Sequence, residues 1–367
     1  MQKIAGNQLN GLCPYFTMFP LEFPLRILKG RARKEDLVLD PFCGRGTTNF
    51  AARLLGLNSL AVDSSPVAVA ITAAKLVTVT TDEVINEARA ILATRRRVQT
   101  PQGVFWDWAF NRDVLRTVCK FRQAFLYDCS TPARKALRGI LLGALHGPKQ
   151  KTFPSYLSNQ CPRTYAPKPG YATRFWQERN LQPEFVDVLA VIMRRAKRYY
   201  SYQPPSILSE VRQADSREST SFSPDELSRK FDWVITSPPY YGMRTYIPDQ
   251  WLRHWFLGGP DTVDYSNDKQ IIHSSPELFE RNLQSVWQNA ALVCNDNARL
   301  VIRFGGIPDR RANPLELIKN SLTDSGWKIS TIRQAGTSHE GKRQADSFLR
   351  KKTTPLKEYD IWAKKYI

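Results

Sequence analysis

Two stretches of the chain carry residue types able to do chemistry. The first is Phe231–Gly242, Phe-Asp-Trp-Val-Ile-Thr-Ser-Pro-Pro-Tyr-Tyr-Gly. Trp233, Val234 and Ile235 form a short apolar run of β-branched and aromatic residues, which reads as an interior strand. Pro238 and Pro239 end it, because proline fixes its own backbone angle, lacks an N–H and pushes the preceding residue towards extended geometry. Ser237 is thereby held extended at the strand's carboxyl end, among carbonyls that no helix claims. Tyr240 and Tyr241 place aromatic rings immediately beyond. A hydroxyl, a free carbonyl and an aromatic plate together can hold a planar polar ring.

The second stretch is Leu37-Val-Leu-Asp-Pro-Phe-Cys-Gly-Arg-Gly-Thr-Thr. Leu37 to Leu39 reads as a buried strand with Asp40 at its end. Gly44 and Gly46 make a tight turn that lets backbone approach a ligand closely. Thr47 or Thr48 is expected to cap the helix that follows, and Gly56 to end it. Ser59–Asp63 is then a second strand ending in an acid, where a carboxylate can accept both hydroxyls of a ribose. Strand, glycine turn, helix, strand and acid make a nucleotide-type βαβ unit. The turn is Asp-Pro-Phe-x-Gly-x-Gly rather than the full glycine fingerprint of a pyrophosphate site. An acid at this turn repels phosphate and attracts an ammonium. The ligand should carry adenosine and a cationic tail, which fits S-adenosylmethionine.

The remaining elements must bring these stretches together. Between them, from about residue 80 to 205, the composition shifts to helical and basic segments. Residues 83–98 and 104–146 read as helices and 147–180 as a proline-rich, loop-rich stretch. Residues 184–202 return to helix. The loop-rich part holds Lys, Arg, Tyr, Asn and Gln, which supply contacts to phosphates and base edges. Ile207 to Val211 is a further strand, followed by Asp215, placed to bond the amine of an adenine. After Gly242 come the aromatic segment Gln250–Leu257, with Arg244 ahead of it, an amphipathic helix over Glu277–Val293, and a strand from Arg299. A helix over Leu315–Ser325 follows, and then two strands at the sheet edge, Trp327–Arg333 and Tyr359–Lys364.

The 367 residues carry 53 Lys and Arg against 34 Asp and Glu, a net charge of +19 that favours a polyanionic partner, nucleic acid ahead of an acidic membrane surface. Six scattered cysteines and four scattered histidines have neither zinc-site nor disulfide-scaffold spacing. No metal is expected, and a reducing cytoplasm is. No secretory signal is read at the amino terminus, and no apolar run approaches the roughly 20 residues that span a bilayer.

Together the two motifs resemble the amino-group DNA methyltransferases, which methylate cytosine N4 or adenine N6. Asp40-Pro-Phe-Cys-Gly-Arg-Gly-Thr-Thr is similar to their cofactor motif, and Thr236-Ser-Pro-Pro-Tyr to their catalytic motif in the serine form typical of cytosine-N4 enzymes. The motif order, cofactor half first, departs from most cytosine-N4 members. The resemblance covers roughly residues 12–76 and 207–367. It implies an α/β fold, a Rossmann-like class I methyltransferase sheet with a mostly helical and loop-rich insertion. Residues 1–79 would form the cofactor-binding half, 80–205 the inserted target-recognition region and 206–367 the catalytic half.

Carried onto residues, the resemblance sets Tyr15, Phe16 and Thr17, with Asp40, Pro41, Phe42, Gly44, Gly46, Thr47 and Thr48, around the methionine end of S-adenosylmethionine. Asp63 and Ser64 would lie at the ribose, and Asp215 and Ser216 at the adenine. Ser237 and the Pro238 carbonyl would accept hydrogen bonds from the target amine. Pro239 is counted with Ser237, Pro238 and Tyr240 among the expected catalytic residues, and Tyr240 would stack on a base flipped out of DNA. Arg163, Tyr165, Lys168, Arg174 and Arg244 are the expected DNA contacts. Cys43 is not expected to act as a nucleophile. The implied setting is restriction-modification or phage defence, with a cognate endonuclease or defence-system partner. An adenine-N6 enzyme, an RNA or protein-amide methyltransferase and a non-catalytic DNA-binding module are the alternatives.

Overall fold

The computed structural model describes residues 7–15, 19–95, 97–147, 155–161, 167–223, 229–242, 250–263, 271, 275–306, 312–337 and 357–366. Two units divide the chain. One comprises Met1–Pro14, Ala73–Pro204 and Thr245–Ser266, the other Tyr15–Thr72, Pro205–Arg244 and Asn267–Ile367.

The second unit is built on a sheet. Its strands are β1 (Val38–Asp40), β2 (Ser59–Asp63), β3 (Ser209–Gln213), β4 (Phe231–Thr236), β5 (Cys294–Phe304), β6 (Trp327–Thr337) and β7 (Lys357–Lys365). Their spatial order is β3-β2-β1-β4-β5-β7-β6. Strands β1 to β5 pair in parallel, while β7 runs antiparallel between β5 and β6. This is a Rossmann-like doubly wound sheet with an antiparallel strand inserted near one end.

Apolar cores on both faces explain why β1 and β4 read as unbroken apolar runs. Alternate residues divide between two cores. Leu39, Val234, Leu300 and Ile302 pack with Phe279, Leu283, Val286 and Trp287 of the helix Pro276–Leu292. Val38, Trp233, Ile235 and Val301 pack with Phe23, Ile27 and Leu28 of α1 (Glu22–Leu28) and Ala52 of α2 (Thr47–Leu54).

The expectation that both final strands lie at the edge is corrected. Only β6 does, and β7 is inserted beside β5. Its charged residues suggested an edge. Asp360 of β7 is nevertheless 4% exposed, because Arg303 of β5 reaches it at 2.7 Å (Nε to Oδ1) and 2.9 Å (Nη2 to Oδ2). The Arg303 guanidinium also lies 3.8 Å from the Phe23 ring centroid. Such a pair is tolerated in a core because both charges are met.

The first unit is helical. After α3 (Pro66–Leu76), which begins in the sheet unit, come α4 (Thr81–Ala93), α5 (Val104–Ala109), α6 (Arg112–Tyr127), α7 (Pro132–Ala144), α8 (Pro169–Glu178), α9 (Val188–Tyr200) and the helix Trp251–Phe256. Thr80 and Glu83 form a reciprocal capping box on α4. The span 104–146, expected to be helical, holds α5, α6 and α7, with Asn111 capping α6 and Thr131 capping α7. The stretch expected to be loop from 147 to 180 contains α8. Pro169 stands in its first turn, where its missing N–H would have had no partner within the helix. Tyr156, Leu157 and Cys161, upstream of α8, are buried. Asn159 donates its side-chain amide to the Trp108 and Leu181 carbonyls (3.1 and 2.6 Å). This part of the stretch builds core instead of presenting base-reading groups. Aromatic rings fill the unit, with Trp106 packed 4.5 Å from Trp255 and 5.8 Å from Trp251 between centroids. Among the described residues no helix is long and apolar enough to cross a membrane.

Candidate functional site

Strands β1 and β4 are parallel neighbours, with Leu39 opposite Val234, so their carboxyl ends lie together. Thr236 Oγ1 donates to Asp40 Oδ1 at 2.6 Å, and the Phe42 amide donates to the same oxygen at 3.1 Å. From the first turn of α2, Thr48 Oγ1 donates to the Ile235 carbonyl at 3.1 Å. The two motifs are therefore bonded to each other twice. Asp40 is completely buried, and its Oδ2 has no hydrogen-bond partner among the described residues. Burial pushes the carboxyl up to about 7, and the charge of Asp63 adds to this, against hydrogen bonds from Thr236 and the Phe42 amide.

The glycine turn is shaped for close approach. Gly46, at φ +71°, is the residue from which α2 starts, and a Cβ there would stand 2.6 Å from Thr72 Cγ2. The expected threonine cap is thus corrected. Thr47 and Thr48 are the first helical residues, both buried, and no side chain caps α2, since the Thr48 hydroxyl is directed to β4. At Gly44, φ is +51° and a Cβ would meet nothing within 4 Å, which leaves open space beside the backbone. Cys43 is buried, its sulfur 3.7 Å from Thr72 Oγ1.

Asp63 closes β2 half-buried. Its Oδ2 accepts the Gly44 amide and its Oδ1 the Ser65 amide, both at 2.9 Å. Burial pushes its carboxyl up while these amides pull it down. Ser64 beside it is exposed. Buried Ser216 donates to the Pro41 carbonyl at 2.6 Å, pinning the start of the turn, and Phe42 meets Trp287 edge-on at 6.1 Å. Burial pushes Asp215 up, yet it sits below the usual carboxylate range, because Arg217 bonds both of its oxygens (Nε to Oδ1 at 3.0 Å and to Oδ2 at 3.1 Å). Arg217 in turn donates to Asn282 Oδ1 at 2.6 Å. The sequence reading missed Arg217, although the Asp-Ser-Arg spacing signals it.

After β4, Ser237 and Pro239 are half-buried and Pro238 is buried. Tyr240 is only 7% exposed. It lies edge-on to Phe304 at 5.2 Å, and its hydroxyl donates to Glu358 Oε1 at 2.6 Å. Gly305 makes room for this contact, since a Cβ there would fall 2.9 Å from Glu358 Cγ and 3.3 Å from the Tyr240 hydroxyl. Tyr241 is half-buried, edge-on to Phe279 at 5.4 Å. No sequence signal near the motif points to Glu358, which is 118 residues away.

In the helical unit, Lys168 is the residue before α8 and Arg174 lies within it, both exposed. Tyr171 is 58% exposed and stacks with Phe175 at 6.2 Å, and Arg179 lies 4.3 Å over the Phe175 ring. Tyr171, Phe175 and Arg179 were missed, though their spacing of four residues marks one helix face. Tyr15 is half-buried. Phe16, Thr17, Arg163, Tyr165 and Arg244 lie outside the described residues.

Residues 2–74 match the family model N6_N4_Mtase, described as DNA methylase. This span ends two residues past Thr72 and contains β1, the glycine turn, α2 and β2. No curated protein matches the chain. Among solved structures the chain is similar to the rRNA methyltransferase aviRa from Streptomyces viridochromogenes, at 13% identity over 99% of this chain and 94% of that one, with a TM-score of 0.36. It is also similar to TrmN from Thermus thermophilus, at 10% identity over 94% of this chain and 48% of that one, with a TM-score of 0.34. A third likeness is to TehB from Haemophilus influenzae, at 9% identity over 95% of this chain and 63% of that one, with a TM-score of 0.35.

Proposed function

We propose that the protein is a cytoplasmic, site-specific DNA methyltransferase that moves a methyl group from S-adenosylmethionine to the N4 amine of an extruded cytosine, in restriction-modification or phage defence. The observation that carries this reading is the pair of hydrogen bonds between the motifs, from Thr236 to Asp40 and from Thr48 to the Ile235 carbonyl. It sets an acid-and-glycine turn beside Ser237-Pro-Pro-Tyr at the carboxyl ends of adjacent parallel strands, where open α/β sheets bind ligands. The turn suits the cofactor. Asp40 Oδ2 is a buried acceptor without a partner among the described residues, matched to an ammonium, and Gly44 leaves space for a chain to pass. Asp63 would lie at the ribose, with Asp215 and Ser216 at the adenine.

S-adenosylmethionine supplies, when bound, a sulfonium methyl open to in-line attack. The chain's own part is to prepare the amine. An exocyclic amine is a weak nucleophile because its lone pair is delocalised into the ring. Ser237 Oγ and the Pro238 carbonyl would accept its two hydrogens, turn the nitrogen towards tetrahedral geometry and localise that pair. As the nitrogen–methyl bond forms, the sulfur–methyl bond would break with its electron pair going to sulfur, S-adenosylhomocysteine being the leaving group, and the amine's surplus proton would pass through the Ser237 hydrogen bond to water. Alignment of this kind can contribute on the order of 7–11 kcal/mol. Extruding the base costs a few kcal/mol, which basic and aromatic contacts such as those of α8 would offset.

Transfer of labelled methyl to plasmid DNA, followed by digestion and mass analysis of the nucleosides, tests the reading. N4-methylcytosine is expected. N6-methyladenine alone would move the assignment to the other base, and label found only in RNA would change the polymer. Ser237→Ala should slow transfer roughly a hundredfold while leaving cofactor affinity unchanged. A protein that binds DNA but transfers nothing would be a binding module instead.

A further inference from the structure

The helical unit holds a buried polar cluster unrelated to either motif. Arg253, on the helix Trp251–Phe256, is 3% exposed, and no carboxylate bonds it among the described residues. Its Nε donates to the Leu142 carbonyl at 3.1 Å. Its Nη1 donates to the Pro14 carbonyl at 2.6 Å and to Gln250 Oε1 at 2.8 Å. One turn beyond Leu142 stands His146, 1% exposed, with Nδ1 2.7 Å from Ser158 Oγ. Among the described residues, Arg253 Nη2, Gln250 Nε2 and His146 Nε2 of this cluster are buried with no hydrogen-bond partner.

The roles of these atoms follow from their neighbours. Ser158 Oγ directs its proton to the Asn159 carbonyl at 3.2 Å, so Nδ1 of His146 is the donor to Ser158 and Nε2 keeps its lone pair. Burial, reinforced by the charge of Arg253, holds the ring neutral, with its pKa lowered to about 3. The cluster thus offers two donors, one of them charged, and one acceptor. Leaving such groups buried and unmet is costly. A phosphate, which only accepts, would face the imidazole lone pair. The edge of a nucleobase carries acceptors beside an N–H and matches this set of two donors and one acceptor in kind. Groups this deeply buried are beyond the reach of a stacked base, so the base must leave its stack.

We propose that Arg253, Gln250 and His146 form a reading site for the edge of one extruded DNA base. Arg253 Nη2 and Gln250 Nε2 donate to its acceptors, and His146 Nε2 accepts from its N–H. The inference rests on the DNA-methyltransferase reading for its choice of polymer.

Two variants test it while keeping the bonds that hold the cluster together. Gln250→Glu retains the acceptor for Arg253 and removes a donor. His146→Asn retains a donor for Ser158 and removes the Nε2 acceptor. Sequences bound from a randomised DNA pool without cofactor are selected with the full chain and with each variant, and methylated sites are mapped in parallel. Thermal unfolding confirms that each variant is folded. The expected result is a loss of base preference at one position, with discrimination falling about tenfold or more, while affinity for unselected DNA, which rests on phosphates, is unchanged. Folded variants that select the same sequences with the same preference as the parent would overturn the proposal, as would a parent chain that selects no sequence at all. If the parent transfers no methyl but the variants still alter the selected sequences, the enzymatic reading fails and the reading site stands. If transfer proceeds and selection is unaltered, the reverse holds.

Discussion

Asp40 is the residue on which most of the site's chemistry converges. Its folded pKa of about 7 lies above the ordinary value of 3.8. Without a ligand, its contribution to stability is therefore fully present below about pH 4 and is lost as pH rises through about 7. An ammonium beside Oδ2 reverses the preference by favouring the carboxylate. Binding of S-adenosylmethionine should thus tighten from about pH 6 to 7.5 and release protons, measurable by calorimetry in buffers of different ionisation heat. Asp40→Asn should weaken binding about tenfold or more and abolish the proton release. An Asn variant that keeps the parent's pH profile would place the titrating group elsewhere. The identity of Asp40, Gly44, Gly46 and Ser237 as a set was legible because each belongs to a local spacing with a physical purpose. Thr72 and Glu358 were not, because their partners lie 28 and 118 residues away and only the folded sheet brings them together.

At the scale of elements, the site depends on two tight joints. The first is where α2 meets α3, with Gly46 against Thr72. Gly46→Ala forces a left-handed φ on an L-residue and a Cβ contact of 2.6 Å, and should destabilise the fold by about 2–4 kcal/mol. Urea unfolding measures this, and adding Thr72→Ala should restore only the part due to crowding. The second joint ties the segment after β4 to β7 through Tyr240 and Glu358. Glu358→Ala removes the carboxylate that accepts from the buried Tyr240 hydroxyl and should cost about 1–3 kcal/mol, with methyl transfer slowed and cofactor affinity intact. Tyr240→Phe in the same chain should cancel much of the loss in stability, and additive effects of the two changes would argue against the tie. Short apolar runs made β1 and β4 readable, and alternation made β6 and β7 so. The helix α8 was not, because its prolines suggested loop, and only the placement of Pro169 in the first turn reconciles them with a helix.

At the scale of the molecule, the net charge of +19 sets how any nucleic acid is held. Should the chain meet 6–10 phosphates, affinity would fall roughly 10³–10⁵-fold between 50 and 200 mM salt. Fluorescence anisotropy across that range gives the slope, and a nearly flat response would exclude a phosphate-dominated grip. Composition alone marks the middle segment of the helical unit. It does not reveal that Met1–Pro14 and Thr245–Ser266 belong to the same unit, because pieces this short and this far apart in sequence meet their partners only in the fold. The hydrogen bond from Thr236 to Asp40 has a consequence for the order of events. An ammonium that fixes the negative charge on Asp40 turns a hydrogen bond between hydroxyl and carboxyl into a charge-assisted one, and that bond is anchored one residue before Ser237. Cofactor and target are then linked through a shared proton. By reciprocity, whatever factor the cofactor adds to target affinity, the target must add to cofactor affinity.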